Sequence, residues 1–64
     1  MKANGAETGD PGGQTLQAWL ARYGYDQTRV AVERNGQIVR RRDFGRTVLS
    51  VSDTLEIVSF VGGG

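Results

Sequence analysis

The sequence predicts an α+β fold in which a small sheet packs on one main helix. Three observations predict it: one apolar stripe at helical spacing over residues 15–23, an alternating β-branched segment running into Asn35-Gly36, and a long apolar strand over residues 54–61. A single helix cannot bury its stripe alone, so it must lie across one face of a sheet. With 64 residues the chain makes one domain, spanning 1–64. A domain of about this size hides only about 60% of the surface of its unfolded chain.

The elements follow in order. The first thirteen residues hold Gly5, Gly9, Gly12, Gly13 and Pro11, and their only apolar side chains after Met1 are Ala3 and Ala6. Little burial is expected there: a weak edge strand over residues 2–4, then a loosely ordered loop or hairpin up to residue 13. Thr15 is placed to cap a helix through its hydroxyl. Leu16, Trp19, Leu20 and Tyr23 then fall at i, i+3, i+4 and i+7 on the core side, with Gln17, Ala21 and Arg22 facing away. Gly24 suits a left-handed C-terminal cap.

Residues 29–33 alternate, with Val30 and Val32 on one face, and Asn35-Gly36 is a strong two-residue hairpin signal. Residues 37–39 form the return strand. Residues 40–45 read as a loop or one 3₁₀ turn pinned by Phe44, and residues 47–49 as a further short strand. In the final strand Leu55 and Ile57 face the core with Val30, Val32, Trp19 and Leu20. Glu56, Val58 and Phe60 face the other way, toward water in a two-layer domain. Val58 and Phe60 are thus candidate partner-binding residues, with Val61 as a tail contact; alternatively Phe60 folds over the sheet edge and completes the core.

Composition excludes much chemistry. There is no Cys and no His. A thiolate nucleophile, a disulfide, an ordinary zinc site and a Ser-His pair are all absent from the side-chain repertoire. Net charge is +1, which supplies no bulk attraction to nucleic acid or a membrane. No apolar run reaches eighteen residues, and the first residues lack the apolar centre of a signal peptide, so a cytoplasmic protein with no membrane partner is expected.

Gly62-Gly63-Gly64 closes the sequence. It is either a meaningless linker or a slim tail; an anion-binding loop needs a following helix, and none follows. Without Cβ atoms, glycines let an extended backbone enter a narrow channel and bring a terminal carboxylate to a partner's active site. A carboxylate is a poor acyl donor until adenylated, so such a chain would be a substrate of an ATP-using enzyme.

Residues 30–39 (VAVERNGQIV), Phe44, residues 53–58 (DTLEIV) and the ending Phe60-Val61-Gly62-Gly63-Gly64 resemble, in that order, the ThiS family of sulfur carriers. The Thr15-Leu16 to Leu20 helix matches as well, so the resemblance covers roughly residues 14–64. It implies a β-grasp, ubiquitin-like fold: a mixed sheet of four to five strands on the helix, with residues 61–64 as a flexible functional tail. It also implies a carrier, not an enzyme, serving thiazole formation in thiamin biosynthesis. No permanently bound cofactor is implied. The Gly64 carboxylate would be adenylated with ATP by an E1-like adenylyltransferase of the ThiF type. It would then become a thiocarboxylate, with sulfur originating from a cysteine desulfurase, and give that sulfur to a thiazole synthase of the ThiG type. Gly62 and Gly63 would keep the tail slim, and Val58, Phe60 and Val61 would anchor it. The alternatives are the small subunit of molybdopterin synthase and a ubiquitin-like protein modifier.

Val51-Ser52-Asp53 stands where the family commonly has Asp-Gly-Asp, which predicts a changed turn type or local strain, and Arg40 stands where proline is frequent. Arg40-Arg41-Arg42 with Arg46 is a solvated loop or a device that steers an acidic partner. Asp53 and Glu56 read as a turn residue and a solvent-facing strand residue rather than an acid–base pair. Trp19 and Tyr23 read as core rather than as a ligand-stacking platform.

Overall fold

The computed structural model describes residues 1–60. Its strands are β1 (Lys2–Ala3), β2 (Ala6–Glu7), β3 (Val30–Arg34), β4 (Gln37–Val39) and β5 (Thr54–Ser59), with one helix, α1 (Leu16–Arg22). The sheet order is β2-β1-β5-β3-β4. Strand β5 is central, parallel to β1 and antiparallel to β3. Leu16, Trp19 and Leu20 of the helix join Val30, Val32, Leu55 and Ile57 of the sheet in one core, as the alternation and the helical stripe predict. No described helix is long and apolar enough to cross a membrane.

The helix is closed at both ends. Its first N–H groups have no partner within the helix. Leu16 N–H donates to Thr47 O (2.7 Å), Gln17 N–H to Phe44 O (3.0 Å) and Ala18 N–H to the Thr15 hydroxyl (3.2 Å). At the other end Gly24 N–H reaches Ala21 O and Tyr25 N–H reaches Leu20 O, the paired bonds of a Schellman cap around Gly24 at φ +81°. Those first bonds also explain why residues 47–49 do not form the expected sheet strand. Their backbone is spent on the helix start: Leu49 N–H donates to Gln14 O, and among the described residues their ladder contact is an isolated Thr15–Val48 bridge. Leu49 is nevertheless buried, as is Phe44 beside the 3₁₀ turn Arg41–Asp43.

The first segment departs most from expectation. Asn4-Gly5, both at positive φ, make a tight hairpin turn, and β1 lies inside the sheet while β2 forms the edge. Met1, Ala3 and Pro11 are buried. For Ala3 the burial comes from the parallel pairing with β5, where it lies opposite Leu55, a long-range contact that no local pattern announces. Tyr23 differs too. At 46% exposure it caps the core, its ring 4.4 Å (centroid to centroid) from that of buried Trp19, with Tyr25 stacked on Trp19 at 6.2 Å. Tyr23 is the C-terminal cap residue of α1, its N–H still donating to Trp19 O at 3.1 Å, so it stays on the stripe at the exposed end of the helix.

Candidate functional site: the end of the central strand and the outer sheet face

Strand β5 gives the site its frame. Leu55 and Ile57 are buried, while Val58 and Phe60 stand out on the opposite face at 59% and 57% exposure. Phe60 therefore does not fold over the sheet edge to complete the core. Ala31 lies directly across from Val58, and Phe60 N–H donates at 2.7 Å to the carbonyl of Arg29, the residue just before β3, so the chain is held to its last described residue. Val61, Gly62, Gly63 and Gly64 lie outside the described residues.

Strand β1 stops at Ala3, and the Asn4 side chain takes over its place beside β5. The Asn4 Oδ1 accepts from Ile57 N–H at 2.7 Å, and its Nδ2 donates to Ile57 O at 3.2 Å. A side-chain amide thus reproduces one rung of the ladder three residues before Phe60. The second asparagine turn works in the same way at the other end of β5: Asn35 Oδ1 accepts from Thr54 N–H at 2.9 Å, and its Nδ2 donates to Asp53 at 2.9 Å.

Asp53 is the polar centre beneath these contacts, 5% exposed. Besides Asn35 it accepts from Arg34 Nε at 3.1 Å and from Ser50 N–H at 2.9 Å. Burial pushes its carboxyl up, but the Asn35 and Ser50 hydrogen bonds and the Arg34 charge outweigh that and hold it below the ordinary carboxylate range. Asp53 is a turn residue as expected, yet a buried and satisfied one. The strain expected at Val51-Ser52 is absent: Asp53 N–H closes the turn on Ser50 O, and Asn4 and Asn35 are the non-glycine residues at positive φ among those described. At Arg40 φ is −73°, a value proline itself takes, so arginine there costs no rearrangement. Arg41 is neither simply solvated nor free to steer a partner. Its guanidinium donates to Gln27 O at 3.0 Å and Thr28 O at 3.2 Å, tying the two 3₁₀ turns together.

Side-chain catalysis has little to work with. No group of three or more His, Cys, Asp and Glu that could hold a metal occurs among the described residues. A shallow cleft lined by Gln17, Ala21, Tyr25, Asp26, Gln27 and Thr28 contains one carboxylate, and Asp26 is already engaged by the Thr28 hydroxyl at 2.6 Å. The alternation places Val58 and Phe60 on the outward face, as the structure has them, but the side-chain bonds of Asn4 and Asn35 and the burial of Asp53 are not foreseen. The two Asn-Gly pairs signal the turns; nothing local signals where their amides point.

A mixed five-stranded sheet grasping one helix, with its central strand leading to a glycine-rich end, defines a β-grasp domain of the ubiquitin-like kind. The chain belongs to the ThiS family, whose family model matches residues 1–64. It is 42% identical over 50 residues to the sulfur carrier protein ThiS of Bacillus subtilis, covering 78% of this chain and 76% of that protein. It is also 41% identical over 61 residues to thiazole synthases of Paramagnetospirillum magneticum and Magnetococcus marinus, covering 95% of this chain but only 19% of those proteins' length. Among solved structures, the crystal structure of the thiamine biosynthesis protein ThiS from Geobacter metallireducens superposes with a TM-score of 0.78 at 29% identity, covering 98% of this chain and 96% of that one. The solution structure of a thiamine biosynthesis protein from the same organism gives 0.75, covering 98% of this chain and 85% of that one.

Proposed function

We propose that the chain is a sulfur carrier for thiazole formation in thiamin biosynthesis, with Gly64 as the residue that holds the sulfur. The observation that carries the reading is the course of β5: a strand buried at Leu55 and Ile57, clamped by Asn4, delivers the chain past exposed Val58 and Phe60 toward Gly62-Gly63-Gly64. ThiS family membership over residues 1–64 and the Bacillus subtilis carrier relative support it. The two thiazole synthases that contain a matching segment support thiazole synthase as the acceptor of the sulfur.

The chemistry needs only a backbone carboxylate. An E1-like adenylating enzyme joins the Gly64 carboxylate to the AMP part of ATP and releases pyrophosphate. A sulfide-equivalent nucleophile, originating from a cysteine desulfurase, then attacks the acyl carbon and AMP leaves, giving a thiocarboxylate. That sulfur is a better nucleophile than a carboxylate oxygen. Catalysis belongs to the partners, and the chain is their substrate, which suits a sequence without Cys or His. Gly62 and Gly63 keep the tail narrow, and Val58, Phe60 and Val61 anchor it.

Sulfur transfer tests this directly. With an adenylating enzyme, ATP and a radiolabelled sulfur donor, label is expected to enter the chain and to pass on only when thiazole synthase is added. Extra residues after Gly64 should abolish loading while the circular dichroism spectrum stays unchanged. A C-terminally extended chain that loads as well as the original refutes the tail mechanism.

A further inference from the structure

The chain has two asparagines, Asn4 and Asn35, and each is followed by glycine. Asparagine is a thermolabile residue, and a following glycine, without Cβ, brings its backbone nitrogen to the side-chain amide unhindered. In the fold both amides are held in the same way. Asn4 N–H donates to Leu55 O at 2.9 Å, its Oδ1 accepts from Ile57 N–H at 2.7 Å and its Nδ2 donates to Ile57 O at 3.2 Å. Asn35 N–H donates to Thr54 O at 2.8 Å, its Oδ1 accepts from Thr54 N–H at 2.9 Å and its Nδ2 donates to Asp53 Oδ1 at 2.9 Å. Three bonds from each asparagine therefore grip β5 or the residue just before it. Both asparagines are exposed, so water reaches them, and the bonds rather than burial fix the amides.

We propose that Asn4 and Asn35 are sites of spontaneous deamidation, held unreactive by their bonds to the central strand, and that modification of either one loosens that strand. The backbone nitrogen of Gly36 attacks Asn35 Cγ, the Cγ–Nδ2 bond breaks, and ammonia leaves with the glycine amide proton, closing a five-membered succinimide. Water then opens the ring at either carbonyl and gives aspartate or isoaspartate. Water enters, ammonia leaves and nothing is oxidised or reduced. Gly5 and Asn4 react in the same way. Ring closure requires Cγ to swing onto the following nitrogen, which the bonds from Oδ1 and Nδ2 to their partners prevent. Only a locally opened turn reacts, so the rate in the folded chain is the rate of the open turn scaled by the open fraction.

The products cannot restore the grip. Aspartate at position 35 sets a carboxylate oxygen where Nδ2 met Asp53 Oδ1, so two acceptors face each other and buried Asp53 loses a donor. Aspartate at position 4 turns an oxygen toward Ile57 O. Isoaspartate carries the backbone through the former side chain, which lengthens a two-residue turn whose length fixes the hairpin register.

The experiment incubates the full chain at mildly alkaline pH, with and without urea, and follows the gain of one mass unit at each Asn-Gly by peptide mapping. Both sites should react at least about tenfold more slowly in the folded chain. Equal rates at either site overturn the inference. Asn4→Asp and Asn35→Asp, which reproduce one product, should each melt below the native chain, with amide exchange quickened at Ile57 and Thr54 respectively. Unchanged melting of both variants overturns the loosening of β5. The exchange Asn35→Asp/Asp53→Asn puts an amide donor where Asp53 Oδ1 stood and keeps an oxygen for Arg34 and Ser50. It should melt above Asn35→Asp alone, and a double variant that melts no higher overturns the proposed clash with Asp53.

Discussion

Asp53 shows how one residue ties distant turns together. Its carboxylate receives the Asn35 amide, the Arg34 guanidinium and the Ser50 N–H, so the β3–β4 hairpin and the turn before β5 share an acceptor. Asp53→Ala leaves those donors without their partner and should destabilise the fold by about 2–3 kcal/mol, read by urea denaturation. The pH dependence has a definite sign. A carboxyl held below its ordinary value contributes stability that is fully present above about pH 4 and is lost as pH falls through the folded value. The native protein should therefore lose stability on acidification more steeply than Asp53→Asn, and the two should converge at low pH. A parallel acid titration of both proteins checks this; parallel curves contradict it. Asn4 offers a second test at this scale. Asn4→Ala removes both bonds to Ile57 and should cost about 1–2 kcal/mol, with amide exchange quickening first at Ile57.

At the scale of elements, the sequence was legible wherever periodicity and turn chemistry coincide. The α1 stripe, its Thr15 cap and the alternation of β5 all carry their answer locally. The Asn35-Gly36 hairpin does too, with both residues at positive φ. Gly36→Val places a β-branched side chain at φ +84° and should cost about 1–2 kcal/mol, seen as a lowered melting temperature. The first hairpin was not legible, because Ala3 is buried by a parallel pairing with β5 that only the folded chain creates. Residues 47–49 misled for a related reason: a β-branched run signals extended backbone, but not whether its partner is a strand or the bare N-terminus of a helix. Tyr23 fits the stripe by spacing and packs on Trp19, but at the last position of the stripe it is half-exposed, which spacing alone does not show.

For the whole molecule, the outward faces of Val58 and Phe60 follow from alternation once Leu55 and Ile57 are assigned to the core. The grip of Asn4 and Asn35 on β5 could not be read the same way, since it depends on which strands flank β5. Absence of Cys and His fits the proposed carrier role, in which the reacting group is a backbone carboxylate. As a sulfur carrier, the chain is proposed to accept sulfur at Gly64. Intact-mass spectrometry after incubation with an adenylating enzyme, ATP and a sulfur donor measures this most directly. Exchange of one oxygen for one sulfur, located at Gly64 by fragmentation, is expected. An unchanged mass under conditions in which a known sulfur carrier reacts, or sulfur located anywhere else in the chain, contradicts it.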